Sequence, residues 1–126
     1  MDGILDTAII VDIYRGFTPA VQWLQQNTNK VFSIAPIVWL EAVEGVSNKL
    51  EQSKIIKLLQ LFAFVNYTQS DMLWAMQQLE QYHLSHSVSM MDCLITASAQ
   101  RLQLPLLTRN LKHFSPILPT LAQKPY

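Results

Sequence analysis

Gly3-Ile4-Leu5-Asp6-Thr7-Ala8-Ile9-Ile10-Val11-Asp12-Ile13-Tyr14-Arg15-Gly16 is the segment from which the architecture follows. Gly3-Ile4-Leu5 is a short apolar run that suits a strand, and Asp6-Thr7 opens a helix at once. That helix, Thr7 to Arg15, is closed by Gly16. The same alternation continues downstream. A second helix is expected over Pro19 to Gln26, with Val21 and Leu24 on one face. Val31 to Ala35 reads as the second strand, and Pro36 suits the first turn of a helix running to about Val46. Ile55, Leu58, Leu59 and Phe62 recur at helical spacing within Lys54 to Phe62. Phe64-Val65-Asn66-Tyr67-Thr68 is rich in strand formers. Ser70-Asp71 opens a helix to about Leu84, and Ser89 to Leu102 forms another. Leu104-Pro105-Leu106-Leu107-Thr108 reads as the fourth strand. The tail from Phe114 carries Pro116, Pro119 and Pro125 and has room for at most one short edge strand. Apolar strands alternating with helices predict a three-layer α/β/α sandwich around a central parallel sheet of four to five strands, as one domain over residues 1–126.

Composition narrows the function classes. The chain has 126 residues, of which 50% are hydrophobic and 14% charged, so it is not disordered. A mean hydropathy of +0.17 leaves few polar residues to cover the surface and predicts an apolar patch serving a homodimer or a protein partner. Nine basic residues balance nine acidic ones, which is not the footprint of a general nucleic-acid coat protein; specific cleavage stays open. Cys93 is the one cysteine, so neither a disulfide scaffold nor a cysteine-rich zinc site is expected. The first residues lack a basic, apolar leader, and the most apolar stretch, Val31 to Val43, is interrupted by Ser33, Pro36 and Glu41. A cytoplasmic protein without a membrane span is the expectation.

In a parallel α/β sheet, ligands sit beyond the carboxyl ends of the strands. Asp6 ends the first strand, Asn110 follows the fourth by two residues, Asp92 lies in the first turn of the Ser89 helix, and Glu41 lies in the Pro36 helix among apolar neighbours. Each has a structural reading as well. Asp6 and Asn110 suit helix N-caps, and Ser89-x-x-Asp92 matches a capping box. Glu41 has no such local role. Converging carboxylates repel unless a cation or shared protons compensate. A hard divalent ion such as Mg2+ or Mn2+ suits an all-oxygen site, and phosphodiester hydrolysis is a chemistry such a site performs.

These residues carry a resemblance. Ile4-Leu5-Asp6-Thr7 with Arg15-Gly16, Leu40-Glu41-Ala42-Val43-Glu44-Gly45, Met91-Asp92-Cys93-Leu94-Ile95-Thr96, and Leu107-Thr108-Arg109-Asn110-Leu111-Lys112-His113-Phe114 occur in the order and spacing of PIN-domain proteins. The chain resembles the small VapC-type toxins of bacterial toxin–antitoxin pairs in particular. The resemblance implies an endoribonuclease dependent on Mg2+ or Mn2+, with Asp6, Glu41, Asp92 and Asn110 as site residues and Asp6 and Asp92 holding the metal. A position often occupied by Asp is here Asn110, which removes a fourth carboxylate. Thr7 and Thr108 are placed to orient the carboxylates. Arg15, Arg109 and Lys112 are placed to hold RNA phosphates. The implied partners are the RNA substrate, a small antitoxin protein and a second copy of the chain.

Other conspicuous residues receive plainer readings. His113 is assigned no catalytic part, because a metal-activated water needs no histidine base. His83 and His86 are placed near a helix end. Trp23, Trp39 and Trp74 are assigned to core or interface, and Asp12 to an exposed helix acid or a partner of Arg15. Two other classes compete with the enzyme: a PIN-fold binding or regulatory module without activity, and a phosphoacceptor receiver-like domain. The receiver reading lacks its paired acids after the first strand and its late lysine.

Overall fold

Apolar segments two or three residues long cannot be stable as isolated strands, so they pair side by side, with helices covering the faces. The computed structural model describes residues 1–126. It has β1 (Gly3–Leu5), α1 (Thr7–Tyr14), α2 (Thr18–Gln26), β2 (Phe32–Ile34), α3 (Pro36–Glu44) and α4 (Lys49–Leu59). There follow β3 (Ala63–Phe64), α5 (Gln69–His86), α6 (Met90–Leu102), β4 (Leu106–Leu107), α7 (Leu111–Phe114) and β5 (Ala122–Gln123). The strands form one five-stranded sheet in the order β3-β2-β1-β4-β5. Every pairing is parallel, and Leu5 lies opposite Leu107 where β1 meets β4. With its seven flanking helices this is the expected α/β/α arrangement. The tail supplies one short edge strand, β5.

Several boundaries differ from expectation by a residue or more, and in three a local hydrogen bond outweighs a propensity. The third strand is Ala63–Phe64 and not Phe64 to Thr68. Thr68 is instead the N-cap of α5: its Oγ1 accepts from the Asp71 N–H at 3.1 Å, and its own N–H donates to Asp71 Oδ2 at 3.0 Å. The fourth strand narrows to Leu106–Leu107. Leu104 ends α6 by donating its N–H to the Ala99 carbonyl, and Pro105 has no N–H to give. Helix α4 starts at Lys49, well before the apolar repeat, because Asn48 Oδ1 accepts from the Glu51 N–H at 2.9 Å.

The core lies along both faces of β1 and β4. Ile4, Leu5, Ile9, Ile10, Val38 and Leu106 have no exposed surface. Burying each such side chain contributes roughly 1.5–3 kcal/mol before conformational entropy is subtracted. Not every apolar side chain is inside: Leu84, Leu61 and Met76 are more than half exposed. No helix is long and apolar enough to cross a membrane.

Candidate active site

The strand order reverses between β1 and β4: β2 and β3 lie on one side of β1, while β4 and β5 lie on the other. A crevice opens beyond the strand ends at such a point. Asp6 follows β1 there and Thr108 follows β4. The Asp6 N–H donates to the Leu107 carbonyl at 3.0 Å, and the fully buried Thr108 hydroxyl donates to Asp6 Oδ2 at 2.8 Å. Asp6 occupies the N-cap position of α1 but makes no side-chain cap bond. Its carboxylate faces the crevice without closing the helix. Burial raises its pKa above the ordinary value, the Thr108 hydroxyl and the Thr7 backbone oppose that shift, and Glu41 and Asp92 add to it. Both acids therefore lie near enough to feel the Asp6 charge.

The other two carboxylates are held by their own supports. Thr7 Oγ1 donates to Glu41 Oε1 at 2.8 Å, tying the start of α1 to α3. Asp92 completes the capping box of α6: its Oδ2 accepts from the Ser89 N–H at 2.8 Å, and its N–H donates to Ser89 Oγ at 3.2 Å. The same Oδ2 accepts from His113 Nε2 on α7. Each acid thus commits one oxygen to a protein donor. None of the second oxygens is both buried and unpartnered, so they remain open to solvent or a ligand.

The family model of the PIN domain matches residues 3–115, which contain this whole arrangement. The chain belongs to the PIN domain family. None of the curated proteins compared matches it. Among solved structures it is similar to a toxin–antitoxin complex from Klebsiella pneumoniae, with 25% identity, a TM-score of 0.80 and coverage of 99% of this chain and 98% of that one. It also shares the fold of VapBC2 from Rickettsia felis bound to a promoter DNA fragment, at 24% identity, a TM-score of 0.82 and 98% coverage of both chains. DNA-bound VapBC from Salmonella typhimurium shares it too, at 18% identity and a TM-score of 0.80, over 100% of this chain and 99% of that one.

Around the acids of this PIN domain, the remaining expected residues divide. Asn110 precedes α7 but makes no side-chain cap bond, so its exposed carboxamide is free; its N–H donates to Thr108 Oγ1 at 3.0 Å. Arg15 is exposed and lines a cleft of about 320 Å3 with Glu41, Gly45 and Glu51. Lys112 lines a different cleft with Asn110 and His113. Arg109 turns away from the acids: its Nη1 donates to both Asp12 oxygens at 2.9 and 3.0 Å, and its guanidinium lies over the Phe17 ring at 5.2 Å. Asp12 is therefore neither an exposed acid nor the partner of Arg15. It is buried and also accepts from the Tyr126 hydroxyl at 2.6 Å. That bond, with burial, pushes the Tyr126 phenol well above its usual pKa, burial being the larger cause.

His113 is the site residue that sequence reasoning left out. It follows Asn110 by three residues, and the short α7 turns its ring onto Asp92. The lack of any need for a histidine base hid a different role, that of partner to a carboxylate. Cys93, next to Asp92, is buried, and its thiol is pushed up to about 11, first by burial and then by Asp92. A thiol so placed is a poor nucleophile. No three His, Cys, Asp or Glu side chains converge as a ready-made metal cluster. The donor set suits a hard cation that keeps several waters and takes one or two carboxylates, since Asp6 and Asp92 each offer an uncommitted oxygen.

Proposed function

We propose that this PIN domain is an endoribonuclease dependent on Mg2+ or Mn2+, acting as the toxin of a type II toxin–antitoxin pair. The observation that carries the nuclease reading is Asp6. A buried carboxylate with its pKa raised by burial, and further by Glu41 and Asp92, sits at the switch point with hydroxyl support but no cationic partner. Such an acid is compensated best by a divalent cation. Asp6 and Asp92 hold that cation, and Glu41 and Asn110 complete the site directly or through water. When bound, the cation neutralises charge on the phosphate and leaving oxygen and lowers the pKa of the attacking water.

The chain's own groups prepare the reaction. Thr108 and Thr7 fix one oxygen each of Asp6 and Glu41, so the other oxygen of each acid is presented in a set direction. Asp92 is held by the Ser89 N–H and His113, on the rigid first turn of α6. Arg15 and Lys112 hold RNA phosphates from their exposed positions. Arg109 offers only Nη2 and Nε, because Nη1 is engaged by Asp12. The toxin reading rests on likeness to toxin–antitoxin complexes, and it brings a small antitoxin, a homodimer and the cytoplasm with it.

A mixed structured RNA pool incubated with purified protein tests the enzyme. Discrete products are expected with Mg2+ or Mn2+, and none with EDTA or with Asp92→Asn. Full cleavage by the folded variant would overturn the assignment. A second reading, a PIN-fold binding module without activity, is favoured by the carboxamide at Asn110 and by the lack of three converging ligands. Calorimetric titration separates the two. Heat of Mg2+ or Mn2+ binding that disappears in Asp6→Asn supports the nuclease, and no heat in the wild type supports the module.

A further inference from the structure

His113 stands between the acidic site and a neighbouring cleft. His113, whose Nε2 donates to Asp92, also lines a cleft of about 380 Å3 shared with Ser85, His86, Ser87, Asn110 and Lys112. Pro116 completes the lining and no carboxylate takes part, although the acidic site lies one imidazole away. The cleft beside Arg15 differs: Val11, Ala42, Val46 and Ile55 give it apolar walls, and it holds Glu41 and Glu51. Of the two, only the His86–Lys112 cleft offers an anion a cation and hydrogen-bonding groups with no carboxylate among them.

Its donors are presented and not consumed by the fold. The Asn110 side chain caps nothing, and Lys112 has no ion-pair partner. Ser85 Oγ lies 2.7 Å from His86 Nδ1, so that ring nitrogen is engaged within α5 and Nε2 is the one left to the cleft. The α5–α6 connection that carries these residues is pinned, because His83 Nδ1–H donates to the Val88 carbonyl at 2.7 Å. Ser87 takes a left-handed conformation at φ 55°, unusual for a residue with a side chain. The tight turn it makes joins the last turn of α5 to α6 and sets His86 and Ser87 on the cleft wall.

We propose that this cleft is a phosphodiester subsite for single-stranded RNA, taking a phosphate that flanks the one at the acidic site. Lys112 is its counter-ion, and His86 and Asn110 are its hydrogen-bond donors. The proposal deepens the nuclease reading and rests on it for the identity of the strand. It also explains how a chain of zero net charge gathers RNA beside a cluster of acids: attraction is local and one-sided.

The test separates binding from cleavage. Fluorescence anisotropy with a short single-stranded oligoribonucleotide in Mg2+ compares Asp6→Asn alone with Asp6→Asn carrying His86→Ala or Lys112→Ala. Both added positions are exposed, and circular dichroism checks folding. The expected result is a loss of affinity of about fivefold to tenfold for each. For Lys112→Ala, the slope of log affinity against log salt should also become shallower by about 0.7, the signature of one lost phosphate contact. Unchanged affinity and slope would overturn the subsite while wild-type cleavage left the nuclease standing. Failure of Asp6→Asn to bind the oligonucleotide would also overturn it. Weakened binding by the added variants, with no cleavage by wild-type protein under any metal, would keep the subsite and remove the nuclease.

Discussion

Asp6 and Asp92 reach the same rim by opposite constructions. Asp6 ends a strand, is almost wholly buried, and has one hydroxyl donor, Thr108, on its side chain. Asp92 starts a helix and has a main-chain N–H and an imidazole on a single oxygen. Burial makes the first costly to ionise, and the bonds of the second close a helix end. Equal participation in catalysis would therefore coexist with different contributions to stability, an ionisation cost at Asp6 and a helix cap at Asp92. One residue type serves a site in two ways because burial and hydrogen bonding act on its charge with opposite sign.

The largest effect that tests this contrast is on activity. Asp6→Asn and Asp92→Ala should each lower metal-dependent RNA cleavage by about a thousandfold or more, read from initial rates at saturating Mg2+. Stability should then separate them. Asp92→Ala removes half of the α6 capping box and should cost about 1 kcal/mol in urea unfolding.

Asp6→Asn should instead stabilise the metal-free protein at pH 7. The folded pKa of Asp6 lies above its unfolded value, so its favourable contribution is complete below the unfolded pKa and disappears as pH rises through the folded one. The substitution removes that loss. Urea unfolding of wild type and variant should converge towards acid and diverge towards neutrality. Equal destabilisation by both variants at pH 7 would break the comparison.

A smaller effect sharpens it. Thr108→Val leaves Asp6 Oδ2 without its donor and the Asn110 N–H without its acceptor, so a loss of roughly 1–3 kcal/mol is expected. Thr7→Val touches a half-buried pair and should cost less, with reduced cleavage as its main symptom. Little change in either stability or cleavage for Thr108→Val would remove the threonine from the site.

The smallest difference lies between two neighbouring cations. Arg109→Ala breaks the Asp12 pair and the contact with Phe17, and because Arg109 is about half exposed the cost should be only about 1 kcal/mol. Lys112→Ala should change thermal stability by no more than about 0.5 kcal/mol while weakening RNA binding. A melting comparison of the two variants checks this, and the reverse order would show that Lys112 has a structural partner.

Much of this site is legible along the chain, and the misses share a cause. The capping box at Ser89 and Asp92 is a bond across three residues, and it forms as the spacing predicts. Glu41 stands out because a carboxylate among apolar neighbours has no local reason to be there, and Thr7 supplies the distant one. Arg109 and Lys112 look alike in sequence. Only Asp12, 97 positions from Arg109, distinguishes them. A separation of 21 positions hid His113 in the same way, since nothing near it in sequence announces Asp92.

The alternation of apolar strands with helices, the helix caps and the position of Asp6 after a strand end all follow from residues within a few places of each other. Local propensity and short hydrogen bonds govern them, so the sequence alone establishes the parallel α/β architecture. The reversal of strand order beside β1, the paired support of Asp6 by Thr108, the diversion of Arg109 to Asp12 and the cleft beside His113 belong to the tertiary structure. Each depends on segments brought together across the chain, where packing of the whole core determines which charge meets which partner.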